Sequence, residues 1–148
     1  MRGAKKSREL ALEFHAFGHP NVRATHRTTL EVTKDRELGR AGDCILAVSS
    51  EVSAADIPSE FADAIRSGWR VKLVISCCGF QDEVSGWGSK GLTLDGRRGL
   101  IARKSQFLSP DTFAIRCDKS AGDIRRDLVQ ALKGGGPVSL KIVVREPE

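Results

Sequence analysis

All three histidines of the chain, His15, His19 and His26, fall within twelve residues. Histidine titrates near neutral pH and binds divalent metals through a neutral ring nitrogen, so such a cluster points to metal binding or to proton transfer. His15 ends a segment of alternating polarity, His19 sits in a turn, and His26 opens a second segment rich in β-branched residues. A hairpin across GHPNVR would bring His15 and His26 together with His19 hanging between them. Glu13, Glu31 and Asp43 are the nearest acids that could complete or orient a site. Two active readings follow: a divalent metal on His15, His19 and His26 that activates a water, or proton transfer by His19 and His26 with Glu31 and Asp43. The spacing is no helical metal motif, because Gly18 and Pro20 interrupt His-x3-His. The plain alternative explains the same residues: His19 braces the turn, His26 is hydrogen-bonded in a strand, and His15 lies at the surface.

Arg23 and Arg27 flank the cluster beside Asn21, and a guanidinium fork suits a carboxylate or phosphate. A small anionic ligand is therefore the expected partner of this site. In RCDKSAGD (residues 116–123) a strand runs into a helix at Asp118 and Lys119, and a helix N-terminus is a further anion site. The loop GWGSKG lacks the G-x4-G-K-[ST] order of a phosphate-cradling loop.

The net charge of +5 suggests nucleic acid as a second class of partner. Arg2, Lys5, Lys6 and Arg8 precede the first acid, Glu9, and the remaining body is nearly neutral. Trp69, Trp87 and six phenylalanines are the only aromatics available for stacking on bases. A third class is an interaction domain without catalysis. The four cysteines, Cys44, Cys77, Cys78 and Cys117, show no C-x-x-C spacing, which argues against a structural zinc site. Cys44 and Cys117 lie in apolar strand patterns and read as buried thiols, while one of the adjacent pair Cys77 and Cys78 must leave the core face of its strand.

These residues need a scaffold, and the patterning is that of strands. LALEFHAF (residues 10–17) alternates Leu10, Leu12, Phe14 and Ala16 against Glu13 and His15. Residues 24–33, the run beginning DCILAV, residues 69–78, 100–105 and 113–117, and the closing VSLKIVVRE read as further strands. A helix is expected over residues 58–67, entered through Ser53 to Asp56 and closed by Gly68, and a second over residues 120–133. The glycine-rich GFQDEVSGWGSKGL reads as a hairpin or loop. About eight strands with two helices predict a mainly β fold, a sandwich with helices on an edge or face; α+β is the alternative. The expected organisation is a basic tail over residues 1–9 and a single β-rich domain over residues 10–148, with no internal repeat. No apolar run approaches the roughly 20 residues that span a bilayer, and no secretory leader opens the chain, so a cytoplasmic protein is expected.

The stretch EFHAFGHPNVRATHRTTLEVTKDRELGRAGDCILAV, with GWGSKG, Arg103-Lys104-Ser105, Asp118-Lys119 and IRRDLVQAL, resembles an archaeal family catalogued as a domain of unknown function, number 371 of that series. The resemblance covers about residues 10–145. It implies a jelly-roll-like sandwich in an archaeal cytoplasm, and it brings no activity, substrate or cofactor with it. Within the signature it places Gly18, His19, Asn21, His26, Thr29, Glu31, Thr33, Gly42 and Asp43. The candidate site then centres on His19 and His26, with Glu31 or Asp43 and with His15 as a neighbour.

Overall fold

Alternating polar and apolar residues build the first sheet. Strands β1 (Glu9–Phe17), β4 (Arg70–Cys77), β5 (Phe80–Trp87) and β8 (Pro137–Arg145) run antiparallel in the order β1-β8-β4-β5. Phe14, Ala16, Leu73, Ile75, Leu140 and Ile142 are buried on one side of it, while the other side is not covered by the second sheet. That second sheet contains β2 (Thr29–Thr33), β3 (Ile45–Ala47), β6 (Gly99–Arg103) and β7 (Thr112–Ala114) in the order β3-β2-β6-β7. Its Leu30, Val32, Leu100, Ala102 and Phe113 join the same core. The computed structural model describes residues 8–39 and 41–148. The basic tail lies outside the described residues as far as residue 7, and Glu9 already belongs to β1.

The fold is mainly β with two helices, as the patterning predicts. β2–β3 and β6–β7 are parallel, whereas a jelly roll pairs its strands antiparallel. Helix α1 (Ser59–Arg66) buries Ala62, Ala64 and Ile65 and closes at Gly68, whose φ of +83° is the left-handed conformation glycine tolerates. Helix α2 (Arg126–Leu132) buries Leu128, Val129 and Leu132. It is shorter than the helix expected over residues 120–133, because Ala121–Asp123 form a separate 3-10 turn. No helix among the described residues is long and apolar enough to cross a membrane.

Two expectations fail. The first is the hairpin across residues 18–23: β1 pairs with β8, β2 pairs with β6 and β3, and the two lie in different sheets. The glycine and proline that read as a tight turn instead let the chain cross between layers. Of the two readings of GFQDEVSGWGSKGL the hairpin holds, since β5 returns along β4 from the Cys77–Phe80 turn as an edge strand; few apolar residues are needed there, and only Val84 and Gly86 are buried. The second failed expectation is the absence of a repeat.

The series of three strands, 3-10 turn, helix and strand occurs twice, in residues 9–77 and again in residues 80–145. Phe17-Gly18 corresponds to Trp87-Gly88, and Ser53-Ala54-Ala55-Asp56-Ile57 corresponds to Ser120-Ala121-Gly122-Asp123-Ile124. Each 3-10 turn carries the same capping box, with Ser53 and Ser120 donating both amide and hydroxyl to Asp56 and Asp123. Lys34 and Lys104 each reach that carboxylate at 2.7 Å. These lysines hold both aspartates at about 2, below the usual carboxylate range. Among the described residues, four of the five non-glycine residues with positive φ also come in matched pairs, Ala24 with Leu94 and Ser49 with Arg116.

The halves interlock. β1–β8, β4–β8, β4–β5 and β2–β6 all join one half to the other. Gly18 passes under the end of α2, and a Cβ there would lie 2.0 Å from the Leu132 carbonyl oxygen; Gly88 passes under α1, with the Ile65 carbonyl oxygen at 1.9 Å. Backbone atoms cannot swing aside as a side-chain tip can. Gly18→Ala and Gly88→Ala should each lower the urea unfolding free energy by roughly 2–3 kcal/mol. Gly39→Ala, with nothing within 4 Å, should leave it unchanged. Equal stabilities for all three would refute the interlock.

Candidate functional site

The crossing loop determines what the histidines do. His15, on the open side of β1 opposite Ser139, has Nδ1 3.3 Å from Glu51 Oε1, which also accepts the His15 amide at 2.7 Å. His19 donates its amide to Leu132, and its Nδ1 accepts the Asn21 amide at 3.0 Å. His26 donates its amide to the Asp43 carbonyl, and its Nδ1 accepts the amides of Thr28 and Thr29 at 3.2 and 3.1 Å. Each of these two rings stabilises a turn as an Asn or Asp side chain would, which requires a lone pair on Nδ1 and the proton on Nε2. Asn21 anchors the loop through Nδ2 to the Leu38 carbonyl at 2.9 Å, and Arg23 and Arg27 are exposed on it. Among the described residues, no three His, Cys, Asp or Glu side chains are grouped so as to hold a metal ion.

Asp118 and Lys119 have structural partners. The Asp118 carboxylate accepts the Ser85 amide at 2.9 Å and caps the edge of β5, as Glu51 does for β1. Lys119 Nζ meets Asp82 Oδ1 at 2.6 Å, where the Asp82 side chain is only 12% exposed. At the 3-10 turn beyond them, Asp123 already takes the Ser120 amide, the place an outside anion would occupy.

Glu31 belongs to a row crossing the outer side of the second sheet. Its amide bonds the Cys44 carbonyl, it pairs with Ile101, and the Ile101 amide bonds the Asp111 carbonyl. Burial raises the Glu31 carboxyl above its ordinary range; the Cys44 thiol, donating at 3.6 Å, partly offsets this, and Asp111 adds to it. Cys44, half-buried rather than fully buried, is pushed up to about 12 by burial and by Glu31. Asp111 Oδ1 is buried with no hydrogen-bond partner. A raised carboxyl binds its proton more tightly in the fold than in the unfolded chain, so its contribution is full below the unfolded pKa and is lost as pH rises through the folded one. Glu31→Gln should therefore raise the thermal midpoint at pH 7–8, with the gain shrinking toward pH 4. A midpoint lowered at both pH values would contradict this.

The uncovered side of the first sheet presents a different constellation. Its end row reads Glu9, Arg145, Arg70, Trp87 across β1, β8, β4 and β5. Arg70 and Arg145 are direct cross-strand partners, and like charges so placed repel. Among the described residues neither forms an ion pair. The Arg70 guanidinium lies 4.8 Å from the Trp87 ring centre and that of Arg116 lies 5.5 Å from it. Arg70, Lys72, Trp87 and Arg145 line an open cavity of about 560 Å3 together with Glu9, Glu83, Glu146 and Glu148, and Lys72 Nζ lies 3.6 Å from Glu83 Oε1. Sequence reasoning missed this site. Alternation in RVKLVISC and SLKIVVR shows that the basic residues face outward, but only the β4–β8 register sets the two arginines side by side.

Fold and site together define a two-sheet β protein of two interlocked halves, with a cavity of ligand size on its open sheet. The chain belongs to the family described as Domain of unknown function (DUF371), whose model matches residues 14–145. It is also 39% identical over 129 residues, 87% of this chain and 96% of the relative, to the uncharacterized protein MJ0206 of the archaeon Methanocaldococcus jannaschii.

Proposed function

We propose that the protein binds a small anionic ligand carrying a planar group, with Arg70 and Arg145 taking the anion and Trp87 bounding the planar part. The observation that carries this reading is the pair of cross-strand arginines, neither of which forms an ion pair among the described residues although Glu9 stands opposite Arg145. A phosphate or carboxylate between them converts a repulsive pair into two charge-assisted hydrogen-bonding partners. The cavity of about 560 Å3 is within the range of small-molecule sites. Glu9, Glu83 and Glu146 line the same cavity and favour a compact anion held between the two arginines over an extended phosphodiester chain, which would have to pass them. Hydrolysis or proton transfer by His19 and His26, with or without a divalent metal, draws less support, since the Nδ1 atom of each already accepts backbone amides.

The test uses adenosine monophosphate as probe and Trp87 fluorescence as readout, in a Trp69→Phe background. Saturable quenching is expected, weakened at least about tenfold by Arg145→Gln or Arg70→Gln, the loss that follows from removing one charge-assisted contact. Quenching that never saturates at millimolar probe, or that both variants leave intact, overturns the proposal. A single-stranded decanucleotide that binds more tightly, with affinity falling steeply in salt, would replace it with nucleic-acid recognition.

A further inference from the structure

The turn joining the two halves contains adjacent cysteines, Cys77 at the end of β4 and Cys78 after it. Neighbouring side chains in a strand point to opposite faces, which predicts separated thiols. The backbone reverses that expectation. Cys78 and Gly79 have φ of +57° and +85°, the two positive values of a tight type I′ hairpin turn between Cys77 and Phe80. Among the described residues Cys78 is thus the one non-glycine residue with positive φ that is not matched in the other half. Its left-handed conformation brings its Sγ to 3.0 Å from Cys77 Sγ. Cys77 is buried and Cys78 exposed. Beside them lies an open recess of about 320 Å3, lined among others by Ser76, Phe80, Gln81 and Pro137.

From this geometry we infer that Cys77 and Cys78 form a redox-active vicinal dithiol, oxidised by low-molecular-weight disulfides to a vicinal disulfide. In the first step the exposed Cys78 thiolate attacks one sulfur of the small disulfide. A Cys78–sulfur bond forms, the small disulfide's S–S bond breaks, and the first small thiol leaves and takes up a proton. In the second step Cys77 gives its proton to solvent and attacks Cys78 Sγ. The Cys77–Cys78 bond forms, the mixed disulfide breaks, and the second small thiol leaves as its thiolate and takes up a proton from solvent. Two cysteine thiols are oxidised and one small disulfide is reduced to two thiols. Burial and the neighbouring Cys78 push the Cys77 thiol up to about 11, so it does not make the first attack; its position 3.0 Å from Cys78 makes the second step intramolecular. Cys44 and Cys117 stand apart from this chemistry, each pushed up to about 12, chiefly by burial.

The test treats the folded full chain with the aromatic disulfide DTNB and follows both released thionitrobenzoate and intact mass. The wild type should release two equivalents, lose two hydrogens and retain no adduct. Cys77→Ala should release one equivalent and keep the adduct on Cys78; Cys78→Ser should react at least about tenfold more slowly. The Cys44→Ser/Cys117→Ser variant should behave as the wild type and, with Cys77 and Cys78 both present, does not depend on a truncated turn remaining folded. A stable thionitrobenzoate adduct on Cys78 of the wild type or of that variant overturns the inference.

Discussion

The carbonyl oxygens of Leu132 and Ile65, closing over Gly18 and Gly88, set the geometry on which the other elements depend. Each half of the chain sends its crossing loop beneath the last turn of the other half's helix, at a distance no side chain could occupy. The loop then bonds to that helix terminus and to the segment behind it, through Gly18 to Gly136 and His19 to Leu132 in one half, and through Gly88 to Trp69 in the other. With the loops fixed, β2 and β6 meet at the centre of one sheet while β4 and β8 meet at the centre of the other. Neither half can complete a sheet alone, because its long strands find their partners across the divide. The matched left-handed residues, Ala24 with Leu94 and Ser49 with Arg116, keep an uncommon conformation because the surrounding contacts are duplicated with them.

Local patterning made much of this fold legible. Alternation in residues 10–17 and 137–145, the apolar stripe of residues 128–132 and the closing Gly68 all lie within one element, where periodicity and cap chemistry operate. Partner choice is not local. GHPN carries the composition of a tight turn, and only the helix end above Gly18 shows that the chain is changing layers. FQDEVSGW lost its strand signal because an edge strand with one exposed side needs few apolar residues. The repeat survives mainly as two short matches, SAADI with SAGDI and Phe-Gly with Trp-Gly, since the remaining positions answer to core volume rather than to identity.

The candidate site was less legible than the fold for the same reason. The histidines attracted attention as residue types, yet two of them use Nδ1 to hold turns that the interlock requires. Arg70 and Arg145 lie far apart in sequence and look like ordinary outward-facing charges until the register makes them neighbours. Their placement contrasts with Lys34, Lys104 and Lys119, each of which has its own carboxylate. A repulsive pair beside an aromatic ring, on a sheet side left uncovered, is a local cost that an anion removes.

The most direct measurement of that claim is an amide and indole NMR map of the 15N-labelled protein titrated with adenosine monophosphate. The account predicts that the largest shifts fall on Arg70, Lys72, the Trp87 indole and Arg145, on four adjoining strand positions of one sheet. Shifts concentrated instead on Asn21 through Thr28, around the histidine turn, would contradict it.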